Sequence, residues 1–414
     1  MADKLAIEGG APVRSDPMPR RIVVGQEERQ ALLALLDREV AQGGGFDRYG
    51  GTEVDAYERE FAEHVGAAFG NAVSAGTASI HTALGALRLE PYSEVITPPV
   101  TDPGAVMPIV WMNCIPVFAD VDPDTFNLDP ASVAERVTER TRAIIATHLA
   151  GQPADLDPIL AVARRHNLPV IEDCAQAHDA TYGGNLVGGL GTFGAFSLMS
   201  GKHSVAGGQG GMLLTDDEEL YWNAKRFADR GKPFNSTEKR NLFLGLNYRM
   251  TELEAAMGRI QLRKLPDIVR RRQEVVARLG ERIADLQAVR LQKVIDRAKS
   301  AYWFLLLKIE ASGLRVTKEE FARAVAAEGL PVSAAYDHVV YDAPWMRDRK
   351  TFGTSGLPWA SPNGRDVRYD PDPCPNARKA IAAHFMCSLH EGWGEREVDD
   401  LAAALRKVER AYLA

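Results

Sequence analysis

The segment Val170-Ile171-Glu172-Asp173-Cys174-Ala175-Gln176-Ala177-His178 runs an apolar strand straight into two carboxylates. Open α/β sheets gather their ligand sites beyond the carboxyl ends of the strands, and this ending fits such a sheet. The flanking sequence agrees. Strands are expected at residues 94–97, 116–119, 143–147, 169–173, 195–198 and 211–215. Helical patterns lie between several of them, such as 157–166 with Ile159, Leu160 and Val162. Strand–helix alternation of this kind predicts an α/β fold, with a mostly parallel sheet covered by helices on both faces.

Further upstream, residues 25–66 read as two helices. The second carries Val54, Tyr57, Phe61 and Val65 at helical spacing, with Thr52 as its cap and Gly66 as its stop. Downstream, a charged amphipathic segment covers about 262–292, and its Arg270-Arg271-Arg272 run is expected to be a solvated helix face. Beyond it the pattern changes to a strand at 301–310, a helix at 318–328 and a closing helix at 397–413. Residues 341–376, rich in Pro, Gly and Asp, read as an extended surface loop. The expected division is therefore an N-terminal arm and large domain (1–265) and a smaller α+β domain (266–414).

Composition narrows the function. The 414 residues carry 49 Lys+Arg against 56 Asp+Glu, a net charge of −7, which argues against nucleic acid as the main partner. The most apolar stretch, 104–119, is interrupted by Pro108, Asn113 and Pro116 and falls short of the ~20 residues of a membrane span. The N-terminal residues lack the apolar core of a signal peptide, and the four cysteines show no CxxC spacing, so a reducing cytoplasmic setting is expected.

Several familiar patterns fail on context. Gly189-Leu-Gly191-Thr-Phe-Gly194 matches GxGxxG, but a turn-like stretch precedes it and a strand follows, the reverse of the dinucleotide fingerprint. Gly201-Lys202 lacks the earlier glycine and the Ser/Thr of a P-loop. His384 and His390 form no HExxH pair, and no metal is expected.

Three segments share one chemistry. Ser74-Ala75-Gly76-Thr77-Ala78 opens a helix with small residues, leaving backbone N–H groups and a favourable dipole for an anion such as phosphate. The carboxylates after Val170-Ile171 can hold a proton on a heterocyclic nitrogen. In Phe196-Ser197-Leu-Met-Ser-Gly-Lys202-His203, before the glycine-rich 207–211, a lysine flanked by small residues can react with a carbonyl if burial lowers its pKa.

With Gly245-Leu-Asn247-Tyr248-Arg249-Met250, the order of these segments resembles the DegT/DnrJ/StrS sugar aminotransferases, enzymes of fold type I dependent on pyridoxal 5'-phosphate (PLP). The resemblance runs from about residue 5 to 270 and more loosely to the C-terminus. It implies that Lys202 is the Schiff-base lysine and proton carrier, with Asp173 paired to the pyridinium nitrogen and Gln176 near the phenolic oxygen. It further implies that Gly76, Thr77, Ala78 and Ser197 bind the phosphate, and that Asn247 reaches it from the neighbouring subunit of a homodimer with shared sites. Relatives acting as sugar dehydratases carry His in place of this lysine. Two positions depart from the pattern: Asp102 stands where the family shows an aromatic residue, and Gln209 where it shows Glu.

The reaction this implies moves an amino group from glutamate or glutamine to a keto sugar or keto-cyclitol. Arg249 is a candidate ligand for the donor carboxylate, an interface ion pair being the other reading. Tyr49, Asp102, His203, Tyr336 and His390 are candidate pocket residues. The departures leave room for an oxidase, epimerase or elimination enzyme on the same cofactor, and a non-catalytic PLP-binding regulator is the remaining class.

Overall fold

Strands form at each of the expected apolar runs. The computed structural model describes residues 4–360, 369 and 372–413. In chain order the strands are β1 (Phe69–Val73), β2 (Glu94–Thr97), β3 (Ile115–Phe118), β4 (Thr141–Thr147), β5 (Val170–Asp173), β6 (Thr181–Tyr182), β7 (Asn185–Leu186), β8 (Phe193–Ser197), β9 (Gly211–Thr215), β10 (Val289–Leu291), β11 (Ala298–Lys299), β12 (Leu305–Ile309), β13 (Val332–Ser333) and β14 (His384–Cys387). Seven of them make the main sheet, in the order β1-β9-β8-β5-β4-β2-β3. Strands β3, β2, β4, β5 and β8 run parallel, and β9 is antiparallel to both β8 and β1.

Along β4 and β5 the side chains alternate between two cores. Ile144, Ala146 and Val170 enter one, and Ala143, Ile145 and Ile171 enter the other. Burial on both faces is why these strands read as continuous apolar runs. Glu172 and Asp173 therefore leave the same strand end toward opposite faces. The helix Gly76–Ala86 covers the face that Asp173 joins, through Ile80, Ala83 and Leu84.

The edge strand β1 was not among the expected runs, because Phe69-Gly-Asn-Ala-Val is broken by two poor strand formers. Pairing along all five residues with β9 supplies what propensity does not. Thr52 is the first helical residue of Thr52–Val65 and makes no capping hydrogen bond; Gly51 occupies the cap position, and Gly66 ends the helix with φ +90° as expected.

The long helix is Glu252–Arg282, ten residues ahead of the expected start, opened by a Thr251–Glu254 capping box and continuous across Pro266. It crosses the expected 265/266 division. Leu262, Leu265 and Val269 belong to the large-domain core, while Val275, Val276 and Leu279 belong to a third core. That third core is built on the antiparallel sheet β10-β12-β14-β13 and the helices Lys318–Ala327 and Glu395–Tyr412, and Leu5 is buried in it. The strand expected at 301–310 begins only at Leu305. Ahead of it, the N–H groups of Ala301 and Trp303 donate to Gly151 and Ala150 carbonyls and pin the chain against the large domain.

Two expectations need correction. Arg270 and Arg271 are solvated and paired with Asp267 and Glu274, but Arg272 is buried among backbone carbonyls. Nor is 341–376 surface loop throughout. It contains the short helix Pro344–Arg347, and Trp359 is fully buried, its Nε1 donating to Tyr369 Oη at 2.8 Å. Residues 361–368, 370 and 371 lie outside the described residues. Among the described residues, no helix is long and apolar enough to cross a membrane.

Candidate active site

At the carboxyl ends of β4, β5 and β8 the structure brings Asp173, Ser197 and Lys202 to the start of the helix Gly76–Ala86. Ala75 caps that helix with extended backbone and no side-chain bond, so the first-turn N–H groups of Gly76, Thr77 and Ala78 have no partner within the helix. Position 76 must be glycine, because a Cβ there would lie 2.5 Å from the Cβ of Ser197. The helix start and the end of β8 thus form one small-residue cradle.

Lys202 follows a tight loop whose preceding residue, Gly201, has φ +100°. Its own N–H donates to Met199 O at 3.1 Å, and the loop is tied back by Ser200 N–H to Gly208 O. The side chain is 6% exposed, and its Nζ rests over the Trp303 ring, 3.6 Å from the centroid. Burial brings the ammonium pKa down to about 8, while Asp173 and Asp102 hold it up. About a tenth of the amine is then free at pH 7, against less than about a thousandth for an ordinary lysine.

Asp173 is buried. Its Oδ1 accepts from Ala175 N–H at 3.1 Å and its Oδ2 from Thr147 Oγ1 at 3.4 Å. Burial raises its pKa against the pull of the Ala175 N–H and of Lys202. Gln176 is oriented at both ends: Oε1 accepts from Ala150 N–H at 2.8 Å, and Nε2 donates to Tyr336 Oη at 3.2 Å. Tyr336 stacks on Phe304, ring centroids 5.0 Å apart, and both rings belong to the core on the Asp173 face of the main sheet.

Asp102 is exposed beside this cluster, with Oδ1 accepting from Gly104 N–H at 2.8 Å. Its loop lies against the helix start, since a Cβ on Gly104 would meet Thr77 Oγ1 at 2.4 Å. The neighbouring Thr101 N–H donates to His338 O.

The remaining candidates lie elsewhere. His203 is fully buried, and its Nε2 hydrogen-bonds Ala301 O at 3.0 Å. His390 bonds Pro19 O through Nε2 and accepts Gly392 N–H at Nδ1, so one ring nitrogen is spent on the N-terminal arm and the other on its own loop. Arg249 pairs with Asp229 and shares with Tyr49 a separate cavity of about 260 Å³. Asn247 is exposed, on a segment running antiparallel to the end of β1, where Ser74 N–H donates to Tyr248 O.

Glu172, on the opposite face, explains the glycines that mimicked a dinucleotide loop. Its Oε1 accepts from Leu190 and Gly191 N–H, and its Oε2 from Gly188 N–H and from His148 Nε2. A Cβ on Gly191 would meet Val170 O at 2.8 Å, and one on Gly194 would meet Gly188 O at 2.0 Å. These glycines allow a loop to close over a buried carboxylate. His148, Glu172 and Cys174 lie close enough to suggest a metal cluster, but the His148 nitrogens and Glu172 oxygens are all taken by these bonds and by Ala154 N–H.

Thr147, Trp303 and Arg21, whose guanidinium donates to the Lys202 carbonyl, escaped the sequence reading. Trp303 sits inside an apolar run that reads as plain strand. Arg21 lies in an arm without periodicity, and only its contacts identify it.

Comparison with known proteins identifies the family. The profile of the DegT/DnrJ/EryC1/StrS aminotransferase family matches residues 26–406. An L-glutamine:scyllo-inosose aminotransferase of Streptomyces griseus is 33% identical, over 99% of this chain and 98% of that protein. GDP-perosamine synthase of Caulobacter vibrioides is 36% identical, over 73% of this chain and 80% of that protein. The structure of an aminotransferase from Psychrobacter cryohalolentis matches with a TM-score of 0.83 at 30% identity, covering 95% of this chain and 99% of that one.

Proposed function

The chain belongs to the DegT/DnrJ/EryC1/StrS aminotransferase family, and from that premise we propose that it moves an amino group from glutamate or glutamine onto a keto sugar or keto-cyclitol, using PLP held by Lys202 and Asp173. The observation that carries this reading is the buried Lys202 amine, over Trp303 and within the field of Asp173, with a helix start whose first N–H groups have no side-chain cap. The glutamine donor and cyclitol acceptor are suggested by the name of the Streptomyces griseus relative.

The residues present fit the cofactor. Gly76, Thr77, Ala78 and Ser197 offer a phosphate the backbone N–H groups and space that a Cβ at residue 76 would fill. Bound there, PLP supplies an electron sink for the carbon that loses or gains the amino group. Asp173 holds a proton on the ring nitrogen, since an adjacent negative charge favours the protonated form. Lys202 would hold the cofactor and, as a neutral amine, would carry the proton that the donor carbon loses. The Gln176 amide would lie near the ring oxygen. Tyr336 fixes that amide, and Asp102 offers a carboxylate to hydroxyls of the acceptor.

Borohydride reduction of the holoenzyme followed by peptide mapping should place the pyridoxyl group on Lys202; finding it on another lysine overturns the site. ¹⁵N-labelled glutamine should then aminate the cofactor in a single turnover. The active unit proposed is a homodimer in which Asn247 serves the partner's site. Mixing inactive Lys202→Ala and Asn247→Ala proteins under subunit exchange should restore activity toward half the wild-type value per heterodimer. No recovery in tagged, verified heterodimers would assign Asn247 to its own chain.

A further inference from the structure

We propose that Arg21, on the N-terminal arm, is a positioning residue for Lys202, acting through a carboxylate-bridged pair of guanidinium groups; this rests on Lys202 being the reactive amine. Arg21 Nη1 donates to the carbonyl of Lys202 itself at 2.6 Å, and Nη2 to that of His203 at 2.9 Å. Its Nε donates to Glu391 Oε1 at 2.7 Å. The other Glu391 oxygen accepts from Arg272 Nε at 2.9 Å, and Arg272 Nη1 reaches the carbonyls of Tyr302 and Trp303, each at 2.9 Å. The two arginines thus hold the peptide carbonyls of both groups that meet at the reactive amine: Lys202, and Trp303, whose indole lies on its Nζ. Trp303 Nε1 closes the ring by donating to Gly201 O at 2.9 Å.

The network is buried, with 2% of the Arg272 side chain, 12% of Glu391 and 14% of Arg21 exposed. One carboxylate between two guanidiniums leaves a net positive charge, and the backbone carbonyls solvate it. Burial works against the Glu391 charge, but Arg272 and Arg21 overcome it and hold the carboxyl below its ordinary range. Lysine at position 21 would lack the rigid fork that spans two adjacent carbonyls. Five segments contribute: the arm with Arg21, the lysine loop, the long helix with Arg272, the 302–303 stretch ahead of β12, and the Glu391 loop after β14. His390 locks the arm in place through Pro19 O. No step of the reaction passes through Arg21; its role is to fix where the Lys202 amine sits against Trp303 and Asp173.

The test uses the full chain, first without cofactor. The pH dependence of Lys202 modification by trinitrobenzenesulfonate, followed by peptide mapping, reads the amine directly. In wild type half-reactivity should fall near pH 8, as burial sets it. Arg21→Ala should move it up by about one unit, toward the free-lysine value, and Arg21→Lys should fall between. In the holoenzymes kcat should drop about ten- to a hundredfold with donor KM within about threefold, as expected for a displaced reactive group. Added guanidinium should recover part of the Arg21→Ala loss. Unchanged labelling pH and kcat in both variants would overturn the proposal. So would a loss that tracks melting temperature alone with labelling unmoved. If Arg21→Ala does not fold, Arg21→Lys carries the same readings. Failure of borohydride to mark Lys202 in wild type would sink the cofactor assignment instead, and the cofactor-free labelling would still report what Arg21 does.

Discussion

Glu172 and Asp173 are neighbours on one strand, equally charged and both buried, yet the two faces of the sheet treat them in opposite ways. Glu172 is saturated, with three backbone N–H groups and the His148 ring converging on its two oxygens. Asp173 has one backbone N–H at 3.1 Å and a distant hydroxyl. Burial raises the Asp173 pKa, so its charge is underpaid by its own chain. A saturated carboxylate stabilises a fold. An under-solvated one leaves a need that Lys202 meets only in part, and under the proposed function a protonated ring nitrogen would answer it.

Exchanging each acid for its amide separates the two roles. Asp173→Asn should lower kcat by about a hundredfold or more, or about 2.7 kcal/mol of barrier. Stability of the cofactor-free chain should stay within about 1 kcal/mol, because Ala175 N–H still finds an oxygen. Glu172→Gln should do the reverse. An amide NH₂ turned toward backbone donors leaves a buried network half satisfied, at a cost of about 3 kcal/mol in unfolding free energy. Single-turnover kinetics and urea melts on both variants give the comparison. Should Glu172→Gln leave the melt untouched while abolishing turnover, the division between the two faces is wrong.

A second effect, comparable in energy but confined to alkaline pH, concerns the lysine that Asp173 faces. The folded pKa of Lys202 is about 8, below the ordinary 10.5. Between those values the unfolded chain holds the extra proton, so stability rises with pH across that window and is flat below it. The difference between the wild-type chain without cofactor and Lys202→Met should change by on the order of 3 kcal/mol from pH 8 to 10.5. A difference independent of pH would mean that the amine is not buried as a cation. Asp173→Asn should extend the window to lower pH and leave its upper end in place, since Asp173 holds up only the folded lysine pKa.

How much of this was legible beforehand follows from where each residue sits. The parallel strands could be read because burial on both faces leaves uninterrupted apolar runs, as at Ile144 and Ile145. β1 could not, because its pairing with β9 rather than its composition makes it a strand. The segments holding Lys202, Asp173 and the helix start were legible as element ends, while Gln176 was singled out only through the resemblance. Arg272 was misread from its charged neighbours: helical rotation turns it 100° per residue away from Arg271, into a nest of carbonyls. Trp303 and Arg21 depend on contacts between segments far apart in sequence, which no local pattern carries.

The smallest effect tests what holds Asp173 when so little hydrogen-bonds to it. Thr147→Val keeps the shape and removes the hydroxyl. At 3.4 Å that bond lies at the limit of useful length, so its loss should cost about threefold in kcat, near 0.6 kcal/mol. The remaining constraint is the strand itself. Asp173 is in register with Thr147 and Ala195 on either side, and its carbonyl accepts from His148 N–H at 3.1 Å. If sheet register aims the carboxylate, Thr147→Val should cost no more than that threefold and leave the Lys202 labelling pH unmoved. A hundredfold loss, matching Asp173→Asn, would show that the hydroxyl orients the acid. Asp173 would then owe its position to a side chain, as Glu172 owes its own to a loop.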